Sequence, residues 1–84
     1  MSCTIEIYTS KHCIYCEMAK ALLDRKGLPY REIHVSSDGQ ERQEMLKRAN
    51  GQRTVPQIFI NNKHIGGYRE LYQLEKAGEL EHFV

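Results

Sequence analysis

Two short runs near the start of the chain alternate apolar and polar side chains, and longer stretches around them repeat their apolar positions every three to four residues. Thr4 to Tyr8 (TIEIY) mixes β-branched and aromatic residues with one charge, which predicts a short strand ending at Thr9 and Ser10. From Cys13 to Lys26, Tyr15, Met18, Ala19, Leu22 and Leu23 recur at helical spacing while Glu17, Lys20, Asp24 and Arg25 fall elsewhere, and Gly27 follows as a C-cap signal. Tyr30 to Val35 (YREIHV) alternates again as a second strand. Ser37 or Asp38 can cap a second helix running to about Arg48. Its apolar face, Met45, Leu46 and Ala49, is thin enough to cover a sheet but not to fill a core, and Asn50 and Gly51 tolerate the left-handed backbone that ends it.

Gln57 to Ile60 (QIFI) and Lys63 to Ile65 (KHI) flank Asn61-Asn62, whose asparagines accept the positive φ of a tight hairpin turn. After Gly66-Gly67 breaks the pattern, Tyr68 to Ala77 offers Leu71, Tyr72 and Leu74 as the stripe of a third helix. Strand, helix, strand in the first half is the arrangement of a parallel pair joined by a right-handed crossover. The expected architecture is therefore α/β, in the order βαβ-α-ββα, with a four-stranded mixed sheet and three helices in one domain, 1–84.

Eighty-four residues carry twelve Lys and Arg against eleven Asp and Glu, a net charge of +1, so no field argues for nucleic acid or a membrane surface as partner. The N-terminus has no signal-peptide pattern and no run approaches the roughly 18 apolar residues of a membrane span, which makes a cytoplasmic protein the expectation. Three cysteines are too few and too unevenly placed for the disulfide framework of a small secreted domain.

Two of those cysteines, Cys13 and Cys16, stand in HCIYC at the predicted start of the first helix, directly after the first strand. Zinc would need four ligands for a closed structural site. No second Cys pair exists, and His12, His34, His64 and His82 form no pair at ligand spacing. These histidines are expected to be solvent-exposed or held by structural hydrogen bonds, and Cys3 to be an incidental thiol. At a helix N-terminus the free amides and the dipole favour negative charge, so Cys13 is expected to hold its thiolate and attack. Cys16, one turn in, less exposed and further from the dipole end, is expected to resolve.

A CxxC within a βαβ unit points to a thioredoxin-like dithiol. The chain resembles a small bacterial dithiol glutaredoxin over nearly its whole length, through CIYC at 13–16, RTVP at 53–56, QIFI at 57–60 and HIGGYREL at 64–71. The resemblance implies a cis bond before Pro56, with Val55 offering its backbone N–H and C=O to the cysteinyl unit of a substrate. It also implies a glutathione groove. Gly66-Gly67, before a helix N-terminus, is where the γ-glutamyl end would sit, with Gly67 and the backbone of Tyr68, Arg69 and Glu70 in reach. Arg69 could pair the γ-glutamyl carboxylate and Glu70 the ammonium, although the family usually has a small or acidic pair here. Where many glutaredoxins place a lysine three residues before the first cysteine, this chain has Ser10, so Lys11 is the candidate cation for the glycyl carboxylate. Arg53, beside Thr54, matches a common family arginine, Gln43 falls where some members use a polar side chain, and Tyr15 should line the groove.

The activity so implied is glutathione-dependent reduction of protein disulfides and glutathione mixed disulfides, by a monomer whose partners are glutathione and disulfide-bearing or glutathionylated proteins. The alternative is a glutaredoxin dimer holding a [2Fe-2S] cluster between two subunits. Ile14 stands where small dithiol glutaredoxins most often have proline, and some members lacking that proline hold such a cluster. Ile14 is, however, bulky and β-branched where the cluster binders tend to have Gly or Ser.

Overall fold

The computed structural model describes residues 4–36 and 39–82. Along the chain run β1 (Ile5–Thr9), α1 (Ile14–Arg25), β2 (Arg31–His34), α2 (Gln40–Arg48), β3 (Gln57–Ile60), β4 (Lys63–Gly66) and α3 (Tyr68–Lys76), followed by a 3-10 turn at Leu80–His82. The sheet has the order β2-β1-β3-β4. β1 pairs with β2 in parallel, Ile7 opposite Glu32, and with β3 antiparallel, Ile7 opposite Ile58. The expected mixed sheet and three helices are thus present, with boundaries within a residue or two except at the start of α2.

Period-two alternation sorts each central strand onto two faces. Ile5 and Ile7 of β1 with Ile58 and Ile60 of β3 face α1 and α3, meeting Ala19, Leu22, Leu23 and Leu71. Each such aliphatic side chain removed from water contributes about 1.5–3 kcal/mol before entropy is charged. Leu80, from the 3-10 turn that the periodicity did not signal, is fully buried in the same cluster. Tyr8 and Phe59 point the other way, onto Val35, Met45 and Ala49.

That second face has little aliphatic area, as the thin stripe of α2 predicts, and a polar bolt supplements it. Arg48 of α2 donates to Glu6 Oε1 at 2.7 Å and to the Tyr8 hydroxyl at 2.9 Å, while Tyr8 donates to Glu44 Oε1 at 2.8 Å. The guanidinium also lies over the Phe59 ring, 4.1 Å from its centroid. The N-cap of α2 is Gly39, which offers no side-chain hydrogen bond. Ser37 and Asp38, the expected caps, lie outside the described residues, as does Cys3.

The turns follow their residues. Asn50 and Gly51 (φ 56° and 84°) end α2, and Asn61 and Asn62 (φ 52° and 68°) close the β3–β4 hairpin. Three aromatic or thioether side chains that the periodicity places in apolar stripes are not core: Tyr15, Met18 and Tyr72 are 61%, 41% and 43% exposed. The sheet covers only the arc of α1 carrying Cys16, Ala19, Leu22 and Leu23. Tyr15 is in the first turn, where its ring meets α3 and not the sheet, and Met18 and Tyr72 lie on helix flanks.

Candidate active site

Cys13 is the N-cap of α1, in an extended conformation (φ −113°, ψ 103°) that turns its side chain back over the first turn. Its Sγ accepts the Cys16 backbone N–H at 3.1 Å. The two sulfurs are joined as a disulfide, with Cα atoms 5.2 Å apart, so the spacing read from sequence does bring the pair together. Cys16 is fully buried and Cys13 half-buried, the asymmetry expected of an attacking and a resolving sulfur. Ahead of them His12 adopts a left-handed backbone, φ 56°, which tightens the turn out of β1; histidine tolerates this region better than most residues.

The second wall comes from the loop before β3. The Val55–Pro56 bond is cis, as expected, and the Val55 carbonyl oxygen lies 3.6 Å from Cys13 Sγ. Among the described residues the Val55 N–H has no hydrogen-bond partner. Buried Gln57 holds this loop: its Nε2 donates to the Thr54 carbonyl at 2.9 Å and its Oε1 meets His64 Nε2 at 2.7 Å. Gln57 reads in sequence as an ordinary strand residue, so its support of the site becomes visible only when the strand is paired.

The third wall is the start of α3. Gly67 is its N-cap and donates its N–H to Glu70 Oε1 at 2.8 Å, the half of a capping box that a glycine can make. The Glu70 oxygen expected to face a ligand ammonium is therefore engaged by the protein's own backbone. Gly66 needs its lack of a side chain: at φ +124° a Cβ would come within 2.9 Å of Glu70.

Between these walls opens a groove of about 490 Å³. Eight of the residues expected at a ligand site line it: Tyr15, Thr54, Val55, Pro56, Gly67, Tyr68, Arg69 and Glu70. Tyr72 joins them, unsignalled except by its place four residues after Tyr68 on one helix. Lys11, Gln43 and Arg53 are not in that lining. Lys11 borders a separate pocket of about 360 Å³ with Ser10, His34 and Ser36. Arg53 is exposed, and its carbonyl takes a hydrogen bond from the Arg42 side chain of α2 at 2.9 Å.

At the end of β1, the Thr9 hydroxyl donates to Glu32 at 2.6 Å and Lys20 of α1 reaches the same carboxylate at 3.1 Å. The Thr9 hydrogen bond first, then Lys20, holds the Glu32 carboxyl below its ordinary range. Lys20, four residues after Cys16, also pairs with Glu17 at 2.9 Å, and these two carboxylates hold its ammonium above the ordinary lysine range. Among the described residues no group of three or more His, Cys, Asp or Glu is placed to hold a metal, and no helix is long and apolar enough to cross a membrane.

This geometry can carry thiol–disulfide exchange: an accessible sulfur on a helix N-terminus, a buried partner sulfur within bonding reach, and an open groove beside them. Comparison with known proteins agrees. The glutaredoxin family model matches residues 5–65. Glutaredoxin 1 of Rickettsia prowazekii is 53% identical over 79 residues, 93% of this chain and 83% of that protein. Glutaredoxin 3 of Escherichia coli is 48% identical over 77 residues, 92% of each. Among solved structures, the buckwheat glutaredoxin–glutathione complex superposes with a TM-score of 0.81 at 36% identity, covering 94% of this chain and 74% of that one. With its Cys13–Cys16 disulfide at the start of α1, the chain belongs to the glutaredoxin family of thiol–disulfide oxidoreductases.

Proposed function

We propose that the chain reduces protein disulfides and glutathione mixed disulfides with glutathione as cosubstrate, acting as a cytoplasmic monomer through residues 1–84. The observation that carries the reading is Cys13, half-buried at the N-cap, its Sγ accepting the Cys16 amide at 3.1 Å and lying 3.6 Å from the carbonyl oxygen of Val55, which lines the groove. That amide and the α1 dipole stabilise the Cys13 thiolate once the disulfide is reduced.

In the monothiol cycle the Cys13 thiolate attacks the glutathionyl sulfur of a mixed disulfide. That S–S bond breaks, and the protein thiolate leaves and takes a proton. A second glutathione thiolate then attacks the sulfur bound to Cys13, releasing oxidised glutathione and restoring the Cys13 thiolate. With a protein disulfide, Cys13 forms the mixed disulfide, Cys16 attacks Cys13 Sγ, and the reduced protein departs. Two glutathiones reopen the Cys13–Cys16 bond.

Glutathione fits the groove by class of group. Its cysteinyl backbone can pair with the N–H and C=O of Val55 as a short β-bridge, and its γ-glutamyl carboxylate can meet the Tyr68 and Arg69 amides and the Arg69 side chain. Thr54, Pro56, Tyr15 and Gly67 form the walls, and the oxygen of Glu70 not held by Gly67 can take the ammonium. Lys11, Arg53 and Gln43 lie outside this lining and would serve only the glycyl end. The complex of buckwheat glutaredoxin with glutathione supports the ligand choice.

A glutathione reductase-coupled assay on a glutathionylated small thiol tests the reading. Cys16→Ser should retain most of the rate and lose only reduction of protein disulfides, whereas Cys13→Ser should show none. Equal loss in both variants on the small substrate would refute the assigned roles.

A further inference from the structure

Three tyrosines of α1 and α3 meet ring to ring in the lining of the groove. The Tyr15 and Tyr68 rings are stacked with centroids 6.1 Å apart, and Tyr68 and Tyr72 follow at 5.9 Å. Tyr15 and Tyr72 are 61% and 43% exposed, so both ends of the row meet solvent. A tripeptide held by Val55 and the start of α3 has no need of the far ring, Tyr72, which lines the groove one helical turn past Tyr68.

The spacing suggests what does. An extended chain advances about 3.3 Å per residue, and its side chains alternate faces, so every second side chain repeats at about 6.6 Å. The ring-to-ring steps nearly match that repeat. The Val55 N–H and C=O, beside Cys13 Sγ, are a ready edge on which an extended segment can pair.

We infer that the tyrosine row is a docking strip for an extended polypeptide bearing the disulfide, in which the second and fourth residues from the attacked cysteine are apolar or aromatic and rest on Tyr68 and Tyr72. The inference deepens the proposed function by naming its polypeptide substrate class, and it rests on Cys13 being the attacking sulfur. Tyr72 is the specificity-determining residue that it adds.

The test uses the reduced full chain and synthetic peptides whose single cysteine is disulfide-bonded to thionitrobenzoate. The Cys13 thiolate attacks the peptide sulfur, the S–S bond breaks, and thionitrobenzoate leaves with the electron pair and is read by its absorbance; Cys16 then displaces the peptide thiolate. No glutathione is needed, so the result is independent of the glutathione assay above. Peptides carry Phe or Ala at the second and fourth positions, on the N-terminal or the C-terminal side of the cysteine.

In one of the two directions each Phe should raise the second-order rate about fivefold over Ala. Tyr72→Ser should abolish the gain from the fourth position and keep that from the second, and Tyr72→Phe should preserve both. Equal rates for Phe and Ala peptides in both directions, or a fourth-position gain that survives in Tyr72→Ser, would overturn the inference. So would a dimer of the reduced protein at assay concentration that Tyr72→Ser dissolves, because a second copy would then be what covers the strip.

Discussion

Arg48→Met should destabilise the protein strongly while leaving its sulfur chemistry intact. The side chains of Arg48 and Glu6 are only 24% and 13% exposed, so their 2.7 Å contact is a charge-assisted hydrogen bond largely out of water. Losing it costs about 1.5–3 kcal/mol. Losing the cation over Phe59 adds about 0.5–1 kcal/mol. Methionine keeps most of the aliphatic stem in contact, so little packing is forfeited. Tyr8 still donates to Glu44, and among the described residues Glu6 keeps only Arg31, at 3.5 Å and 73% exposed. The sum, about 2–4 kcal/mol, corresponds to a fall in Tm of about 10–20 °C for a domain of this size. Thermal and urea unfolding followed by circular dichroism measure it. Because α2 packs on the face of the sheet opposite α1 and α3, the rate of Cys13 with a small disulfide should stay within about twofold. Adding Glu6→Gln should recover about 1 kcal/mol by removing the stranded carboxylate. A loss under about 0.5 kcal/mol would show that the bolt is only a solvated surface pair, and a large fall in rate at full stability would show coupling across the sheet; either refutes the reasoning.

At pH near 6, a brief iodoacetamide pulse on the reduced protein should label Cys13 far faster than Cys16 or Cys3, since Cys13 caps the N-terminus of α1, and mass mapping showing equal labelling would contradict the activated thiolate. Glu32 is a carboxylate whose folded form titrates below its ordinary range, so its contribution is present above that range and is lost as pH falls through the folded value; Glu32→Gln should flatten the acid limb of stability from the ordinary carboxylate range downward, by under about 1 kcal/mol because the group is partly solvated. Ile14, 73% exposed next to Cys13, sets a branched side chain on the surface two subunits would share around a cluster. Anaerobic reconstitution with iron, sulfide and glutathione should therefore yield a monomer on size exclusion, and a stable brown dimer that bleaches on glutathione removal would make cluster carriage the leading function.

Most of the fold can be read from the chain because its signals are local. Period two in TIEIY and YREIHV, the apolar spacing of α1, the Asn-Asn turn and Asn50-Gly51 each report backbone geometry that neighbouring residues impose, and the cysteine spacing by itself sets both sulfurs at the first turn of one helix. The 3-10 turn with Leu80 has no periodicity to announce it, because its burial is decided by the cluster it closes. Tyr15, Met18 and Tyr72 share the spacing of core residues, yet the sheet covers only part of each helix circumference, so what is buried depends on where α1 and α3 meet. The same holds for the site. The cysteine pair and the cis-proline loop are legible as motifs, whereas Gln57 bracing Thr54, Arg42 bonded to the Arg53 carbonyl, Glu70 turned onto Gly67, and Lys11 set apart from the groove depend on contacts between residues distant in sequence or on side-chain direction. Helical and strand periods specify which residues can share a face; only packing one element on another decides which of them touch.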